Sequence, residues 1–175
     1  MNPSFEFDHI AGIDPLAIGQ PGERTFYLQV HQDGVARNFK CEKGQIAGMA
    51  EYLERLADAS GVGGVTPLPA TLPVDTTEWP IGQLTVAFDQ ANGHLVLILM
   101  ELVVVEVDDE MIIATGDDED NDLGIEFARA EIALSPAQAR AFALAAGTLV
   151  AAGRPECDLC GSPIDAGGHF CPRMN

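Results

Sequence analysis

Four side chains near the C-terminus could bind a metal ion together. Three of the four cysteines and one of the four histidines fall within 15 consecutive positions, namely Cys157, Cys160, His169 and Cys171. Thiolates and imidazole nitrogens are ligands that Zn²⁺ prefers, and three thiolates with one imidazole complete a tetrahedral site. Because protein side chains would fill all four positions, none is left for water or substrate. The set therefore predicts a structural zinc ion rather than a catalytic one.

The spacing of these residues is typical of a zinc knuckle. Two of the cysteines form a Cys-x-x-Cys pair followed by Gly161, which lets backbone amides turn toward the sulfurs. The histidine and the third cysteine are two residues apart, so both project to one side of an extended chain. Reduced thiols in a frayed tail or a redox dithiol are the alternatives, but redox pairs usually open a helix, which Gly161-Ser162-Pro163 disfavours.

Two other groups of residues resemble functional sites less closely. Cys41 stands alone at a core-facing strand position and predicts a buried, inert thiol. The acidic run at residues 117–122 resembles a calcium loop. Counted from Asp118, however, the glycine position of that loop holds Leu123 and its bidentate glutamate position holds Arg129. A solvated loop between two strands is the better interpretation.

A glycine-rich loop at residues 19–24 is the remaining candidate site. Backbone amides near Gly19 and Gly22, together with the guanidinium of Arg24, could hold an anion. The loop lacks the Lys-Ser/Thr pair of a P-loop, so a plain turn is the default interpretation. An anion site here would support an alternative function, that of an enzyme or binding domain for a phosphorylated small molecule.

The charge of the chain excludes several classes of partner. The 175 residues carry 27 acidic and 9 basic side chains, a net charge of −18, yet 47% of them are hydrophobic, as in a globular domain. A strongly negative surface repels nucleic acids and anionic membrane surfaces. No cationic stretch followed by an apolar run occurs near the start, and no apolar run approaches about 20 residues. We therefore expect a soluble, cytoplasmic protein, in which clustered cysteines are more often metal ligands than disulfides.

The first half of the chain reads as strands followed by a helix. Apolar residues at every second position predict strands over residues 5–9, 26–31 and 35–41, and Asp33-Gly34 predicts a hairpin turn between the last two. Apolar residues at helical spacing then predict a helix after Gly44. The proline-rich residues 61–80 form a long connection, which we interpret as a strap packed across the core and anchored by Trp79. A lid or peptide-docking segment is the alternative.

The second half repeats this order. Ser135 as N-cap, with Gln138 placed for a capping box, predicts a second helix that ends at Gly153. Residues 95–105 are nearly all apolar and predict a strand buried on both faces. The other expected strands cover residues 84–88, 111–115 and 124–134.

These elements predict an α+β fold, with an antiparallel sheet and two helices packed on one face. We expect an α+β domain over residues 1–152 and a zinc-knuckle tail over residues 153–175. The similar strand-to-helix junctions of the two halves are consistent with a faint internal duplication around a common sheet.

Three segments together resemble an uncharacterised bacterial family known as a domain of unknown function. They are Gly-Gln-Pro-Gly-Glu-Arg-Thr-Phe-Tyr-Leu-Gln at residues 19–29, Ser-Pro-Ala-Gln-Ala-Arg-Ala-Phe at residues 135–142, and the Cys-x-x-Cys-Gly…Gly-His-x-Cys-Pro-Arg tail. The resemblance covers essentially the whole chain and implies no activity. Our main functional expectation is a non-catalytic protein-interaction or structural module, in which the zinc knuckle is a structural or docking element for a protein partner. The reason is that no nucleophile, base and oxyanion set can be assembled from the sequence.

Overall fold

The computed structural model of the protein describes residues 2–107, 110–116, 124–153, 157–162, 164 and 168–174. Within these ranges the chain has the α+β fold predicted from the sequence, with nine strands and two helices. In chain order they are β1 (Phe5–Phe7), β2 (Gly12–Ile18), β3 (Thr25–Gln32), β4 (Val35–Cys41), α1 (Lys43–Ala59), β5 (Ile81–Asp89), β6 (His94–Glu101), β7 (Val103–Val107), β8 (Glu110–Ala114), β9 (Arg129–Leu134) and α2 (Pro136–Ala151).

The strands divide into three sheets over the described residues. β2, β3 and β4 form one antiparallel sheet, and β7 and β8 form a two-stranded ribbon. The third sheet has the order β1-β9-β6-β5, in which β1 is parallel to β9 and the other neighbours are antiparallel. The two larger sheets are separate, rather than one common sheet, and meet at an isolated parallel bridge between Lys40 and Pro80.

The two halves share one arrangement of elements. β2, β3 and β4 follow one another antiparallel and lead into α1, and β5, β6 and β9 do the same before α2. The β7–β8 ribbon is inserted between β6 and β9. Each helix begins with a capping box, formed by Glu42 with Gln45 in α1 and by Ser135 with Gln138 in α2. Both halves thus have three antiparallel strands followed by a helix, but in separate sheets rather than the expected common one, and an internal duplication stays a prediction.

The capping-box glutamines also join the two halves. Gln45 Nε2 donates a hydrogen bond to the carbonyl of Ile81 (3.0 Å), at the start of the second half. Gln138 Nε2 donates to the carbonyl of Ile10 (2.9 Å), just before β2 in the first half. Each helix N-terminus is thus held by backbone that belongs to the other half.

The helices lie antiparallel, because the N-terminal end of α2 meets the C-terminal end of α1. Arg140 of α2 donates to the carbonyl of Ala57 (2.6 Å) and to the carboxylate of Asp58 (3.1 Å). A cation here also offsets the negative end of the α1 dipole. Among the described residues, no helix combines the length and the apolar character that crossing a bilayer requires.

The strap at residues 61–80 is anchored by Trp79 as predicted, but its apolar Val62, Val65 and Leu72 are exposed, so most of the segment lies on the surface. It contains no helix or strand before Pro80, and the Trp79 side chain is buried against Phe39, with ring centroids 4.7 Å apart. Trp79 Nε1 donates a hydrogen bond to the carbonyl of Pro3 (3.0 Å). The aromatic pair therefore joins the strap, β4 and the N-terminal segment in one core.

Three buried polar side chains hold the strap over the sheet of β2, β3 and β4. Asp14, Gln29 and Asn38 are direct cross-strand neighbours. The Gln29 amide both donates to the Leu72 carbonyl (3.0 Å) and accepts from the Leu72 N–H (2.9 Å). Asp14 accepts from the Thr71 hydroxyl and Asn38 donates to the Thr76 carbonyl. The strap thereby satisfies polar groups that burial would otherwise leave unpaired.

Three expectations need correction. The single strand predicted over residues 95–105 is two strands, because the Leu102 N–H donates to the Pro80 carbonyl (2.8 Å) and ends β6. β6 is fully buried on only one face, since Val96, Ile98 and Met100 are partly exposed. In residues 124–134 the strand begins only at Arg129, and β2 was not predicted at all.

Replacing Gln138 by glutamate should separate the two roles of this residue. Glutamate keeps the capping-box acceptor, matches glutamine in helix propensity and suits a first helical turn. It removes the donor to Ile10 and puts a carboxylate against that carbonyl, so we expect the free energy of unfolding to fall by about 1–3 kcal/mol. Urea unfolding would measure the loss. The control Gln20→Glu adds the same charge at an exposed turn; an equal loss there would contradict the role of the contact.

Candidate metal centre

The first pair of candidate ligands lies in a tight turn after α2. The Gly161 N–H donates to the Cys157 carbonyl (2.8 Å), and the Cys157 N–H donates to the Ser162 carbonyl (2.9 Å). Gly161 has a φ of 71°, in the left-handed region that favours glycine. The Cys-x-x-Cys-Gly pattern therefore closes a loop that holds both sulfurs on a fixed backbone.

The second pair lies on a separate segment that returns to this turn. His169 and Cys171 are followed by another turn, in which the Met174 N–H donates to the Cys171 carbonyl (3.1 Å). Arg173 Nη1 donates to the carbonyl of Leu159, between the two cysteines of the first pair (2.7 Å). This bond sets the two turns side by side.

The four candidate ligand atoms converge at one point. They all lie within 4.8 Å of one another. Cys157 Sγ and Cys171 Sγ are 3.8 Å apart, and Cys160 Sγ is 3.2 Å from His169 Nε2. Tetrahedral zinc with its usual bond lengths separates two sulfurs by about 3.8 Å, and a sulfur from a nitrogen by about 3.6 Å. The first separation equals the tetrahedral value and the second is about 0.4 Å shorter, so the four groups could bind a metal ion.

Burial and hydrogen bonding distinguish the cysteines of the centre. Hydrogen bonds from the side chain and backbone of Ser162, with a smaller contribution from His169, lower the pKa of Cys160 to about 6. Burial raises the pKa of the Cys171 thiol. Cys160 is therefore the cysteine that more readily forms the thiolate, the form that ligates metals, whereas Cys171 holds its proton more tightly.

Ser162 contacts a candidate metal ligand, and the sequence pattern had not singled it out. Its hydroxyl and its N–H both reach the Cys160 sulfur. Groups that hydrogen-bond to metal ligands orient those ligands and adjust their basicity. A hydroxyl residue two positions after a knuckle cysteine was the available signal.

The loop at residues 19–24 joins β2 to β3, and its arginine has a structural partner. Arg24 Nη1 donates to the carbonyl of Ala152 (3.0 Å), at the C-terminal end of α2. The guanidinium thus contacts one of the carbonyls that a helix end leaves without an internal partner. Gly19 and Gly22 lie in the turn itself, where the Glu23 N–H donates to the Gln20 carbonyl. The anion role of Gly19, Gly22 and Arg24 stays a prediction.

The remaining sequence candidates separate clearly. Cys41 is buried, and this burial, followed by the charge of Glu42, raises its pKa to about 12, as expected for an inert thiol. The acidic run at residues 117–122 lies outside the described residues. Among the described residues, Cys157, Cys160, His169 and Cys171 form a cluster of side chains that could bind a metal ion.

Comparison with known proteins identifies the family of the chain. Residues 5–171 match the family described as "Protein of unknown function (DUF3090)", so the chain belongs to that family. The match includes the four candidate ligands. No curated protein and no solved structure matches the chain.

Alkylation of the chelator-treated protein should distinguish Cys160 from Cys41. Cys160 is only partly buried, so we expect it to react with iodoacetamide at neutral pH, whereas Cys41 stays unmodified because it is buried in the core and its pKa is raised to about 12. Peptide mass spectrometry after short exposures would measure both rates, with urea-unfolded protein as the control in which both cysteines react. Equal rates in the folded protein would contradict the assignment of Cys41 as an inert thiol.

Replacing Arg24 should weaken the end of α2. Arg24→Ala removes the donor to Ala152 and the favourable charge at the helix C-terminus, so the unfolding free energy should fall by up to about 1 kcal/mol. Arg24→Lys keeps the charge and should lose less. Chemical denaturation of the three proteins in low salt would compare them, and an unchanged stability of Arg24→Ala would show that the contact contributes nothing.

Proposed function

We propose that this member of the DUF3090 family is a non-catalytic interaction protein whose C-terminal knuckle is folded by one structural zinc ion and presented to a protein partner. The observation that carries the proposal is the convergence of three thiols and one imidazole within 4.8 Å. Such a set closes a tetrahedral site.

The choice of zinc follows from the chemistry of the donors. Three thiolates and one imidazole are soft and borderline ligands in the number that zinc prefers, and calcium or magnesium would need oxygen ligands instead. His169 would bind through Nε2, the nitrogen that faces Cys160. Since protein groups would occupy all four positions, the ion would hold the turns together rather than activate water.

The tail has few other means of folding. Its apolar residues Leu159 and Phe170 are 50% and 79% exposed, so they contribute little hydrophobic stabilisation. In small domains of this kind the free energy of metal binding is the free energy of folding. This supports a division into an α+β domain over residues 1–152 and a metal-dependent tail over residues 153–175.

The same exposed side chains favour a docking role. Leu159 and Phe170, together with Met174, which is 73% exposed, lie at the surface of the two turns of the knuckle. From residue 151 onward the chain has three acids and two arginines, so it is nearly neutral although the protein carries a net charge of −18. A partner can therefore meet apolar side chains here without the repulsion expected elsewhere. We place this interaction in the cytoplasm, where thiols stay reduced.

The alternative function, binding of a phosphorylated small molecule at residues 19–24, has weaker support. Arg24 already donates to the end of α2, and an anion would have to compete with that bond. For this reason we favour the interaction role.

Metal analysis tests the first part of the proposal. Protein purified without added metal should contain one zinc per chain by inductively coupled plasma mass spectrometry. Cys157→Ser and Cys171→Ser should lose it, because each removes a thiolate, and the matched Cys41→Ala should retain it. Clearly substoichiometric zinc in the unaltered protein, or equal zinc in all four proteins, would contradict a structural zinc site.

Affinity capture tests the second part. The full chain, used as bait in native lysate, should retain a partner that the double variant Leu159→Ser, Phe170→Ser loses while its metal content stays unchanged. Leu144→Ser, at an exposed position of α2, is the control for the loss of an apolar surface residue. Quantitative mass spectrometry of the captured proteins would compare the baits. If all three baits capture the same proteins, the exposed residues of the knuckle bind no partner and its role is structural only.

A further inference from the structure

The β7–β8 ribbon has one face that points away from the rest of the protein. Antiparallel pairing places Val104 opposite Ile113 and Glu106 opposite Met111. Directly opposed residues share a face, so these four side chains form one surface, which we call the outer face. The other face includes Ala114, which is only 4% exposed, and Ile112, which at 39% is less exposed than Val104, Met111 and Ile113.

The root of the ribbon is fixed to the sheet of β6. Beyond Ala114, Gly116 lies so close to the Met100 side chain that a Cβ at this glycine would be 2.5 Å from the methionine methyl group. The contact holds one side of the ribbon root against the partly exposed face of β6 and leaves the outer face turned to solvent.

The outer face is unusually apolar for a surface in water. Val104, Ile113 and Met111 are 47%, 64% and 69% exposed, and Glu106 is the one polar residue of the four. A two-stranded ribbon alone is only marginally stable in water, and clustered exposed apolar side chains typically mark an interaction site. A partner that covers this face would stabilise the ribbon and bury its apolar surface.

The charge around the ribbon selects the chemistry of that partner. Residues 101–131 contain 12 of the 27 acids and a single base, Arg129. Arg129 is itself paired with Glu131, with an N–O distance of 2.6 Å. On the ribbon itself Glu106 and Glu110 are exposed, its described residues include no lysine or arginine, and the chain as a whole carries a net charge of −18. This charge opposes a second copy of this chain, an anionic membrane or a nucleic acid and attracts a cationic surface.

We propose that the outer face of the β7–β8 ribbon binds a cationic, amphipathic segment of a partner protein. Apolar side chains of that segment cover Val104, Met111 and Ile113, and its lysines or arginines approach Glu106. The inference is independent of the zinc knuckle, because none of these residues belongs to the metal centre.

Peptide titration of the full, metal-loaded protein tests the proposal directly. The probe is a fluorescein-labelled peptide of alternating lysine and valine, with binding followed by fluorescence anisotropy. Peptides of alternating lysine and serine, and of alternating glutamate and valine, are the comparison probes. We expect the lysine–valine peptide to bind about tenfold more tightly than the lysine–serine peptide, and the glutamate–valine peptide not to bind.

Two charge-neutral double variants separate the outer face from general attraction to an acidic protein. Met111→Thr with Ile113→Thr keeps strand propensity but removes apolar surface, and it should weaken binding of the lysine–valine peptide about tenfold. Leu144→Thr with Val35→Thr, at positions 59% and 52% exposed, should change it less than twofold. Equal affinities of the two variants would overturn the proposal, because binding would then be non-specific.

A further variant and a measurement of mass complete the test. Glu106→Gln leaves the apolar residues in place and should weaken the lysine–valine peptide several-fold and flatten its salt dependence; an unchanged salt dependence would contradict a cationic ligand. Light scattering after size exclusion measures the molar mass and so tests whether a second copy of the chain covers the outer face. If the unaltered protein is a dimer and the double variant Met111→Thr, Ile113→Thr is a monomer, the face binds a second copy and the proposal is overturned. None of these variants alters a metal ligand, so zinc content reports separately on the knuckle.

Discussion

The fold depends on two hydrogen bonds in which a glutamine side chain of one half donates to the backbone of the other half. Each helix is capped by a glutamine whose oxygen serves its own N-terminus and whose nitrogen serves the backbone of the opposite half. Neither half can complete this hydrogen bonding alone, and an unmade buried hydrogen bond is costly. Side chains from both halves also pack in one hydrophobic core. The repeated unit of three strands and a helix is therefore a half of a domain and not a domain in itself.

Both candidate interaction surfaces lie outside this repeated unit. The ribbon is inserted between β6 and β9, where the first half has a direct connection between β3 and β4. The metal centre follows α2, whose end is held by Arg24. Because core packing determines neither the ribbon nor the tail, both can carry exposed apolar residues without disturbing the shared core. Function placed on connections and termini of a rigid scaffold is the common pattern in proteins.

The sequence predicted those features that depend on neighbouring residues. The capping box of Ser135 and Gln138, the Asp33-Gly34 turn and the Cys-x-x-Cys-Gly knuckle are each encoded within a few positions. The features that were missed depend on distant contacts. Asp14 and Pro15 interrupt the alternation of apolar and polar residues that would have indicated β2. In the structure Asp14 accepts a hydrogen bond from Thr71 of the strap. The break after β6 exists because Leu102 bonds to Pro80, which no local pattern reports.

The parallel pairing of β1 with β9 has a consequence for biosynthesis. β1 leaves the ribosome before its partner β9, which begins at Arg129, more than 120 residues later. At ordinary rates of translation this delay is on the order of ten seconds. During that time Phe5 and Phe7 have no strand to pair with, and the first-half helix lacks its anchor at Ile81 for part of it. The parallel pairing of β1 therefore forms only after residues 129–134 have been synthesised, so this edge of the sheet is completed late.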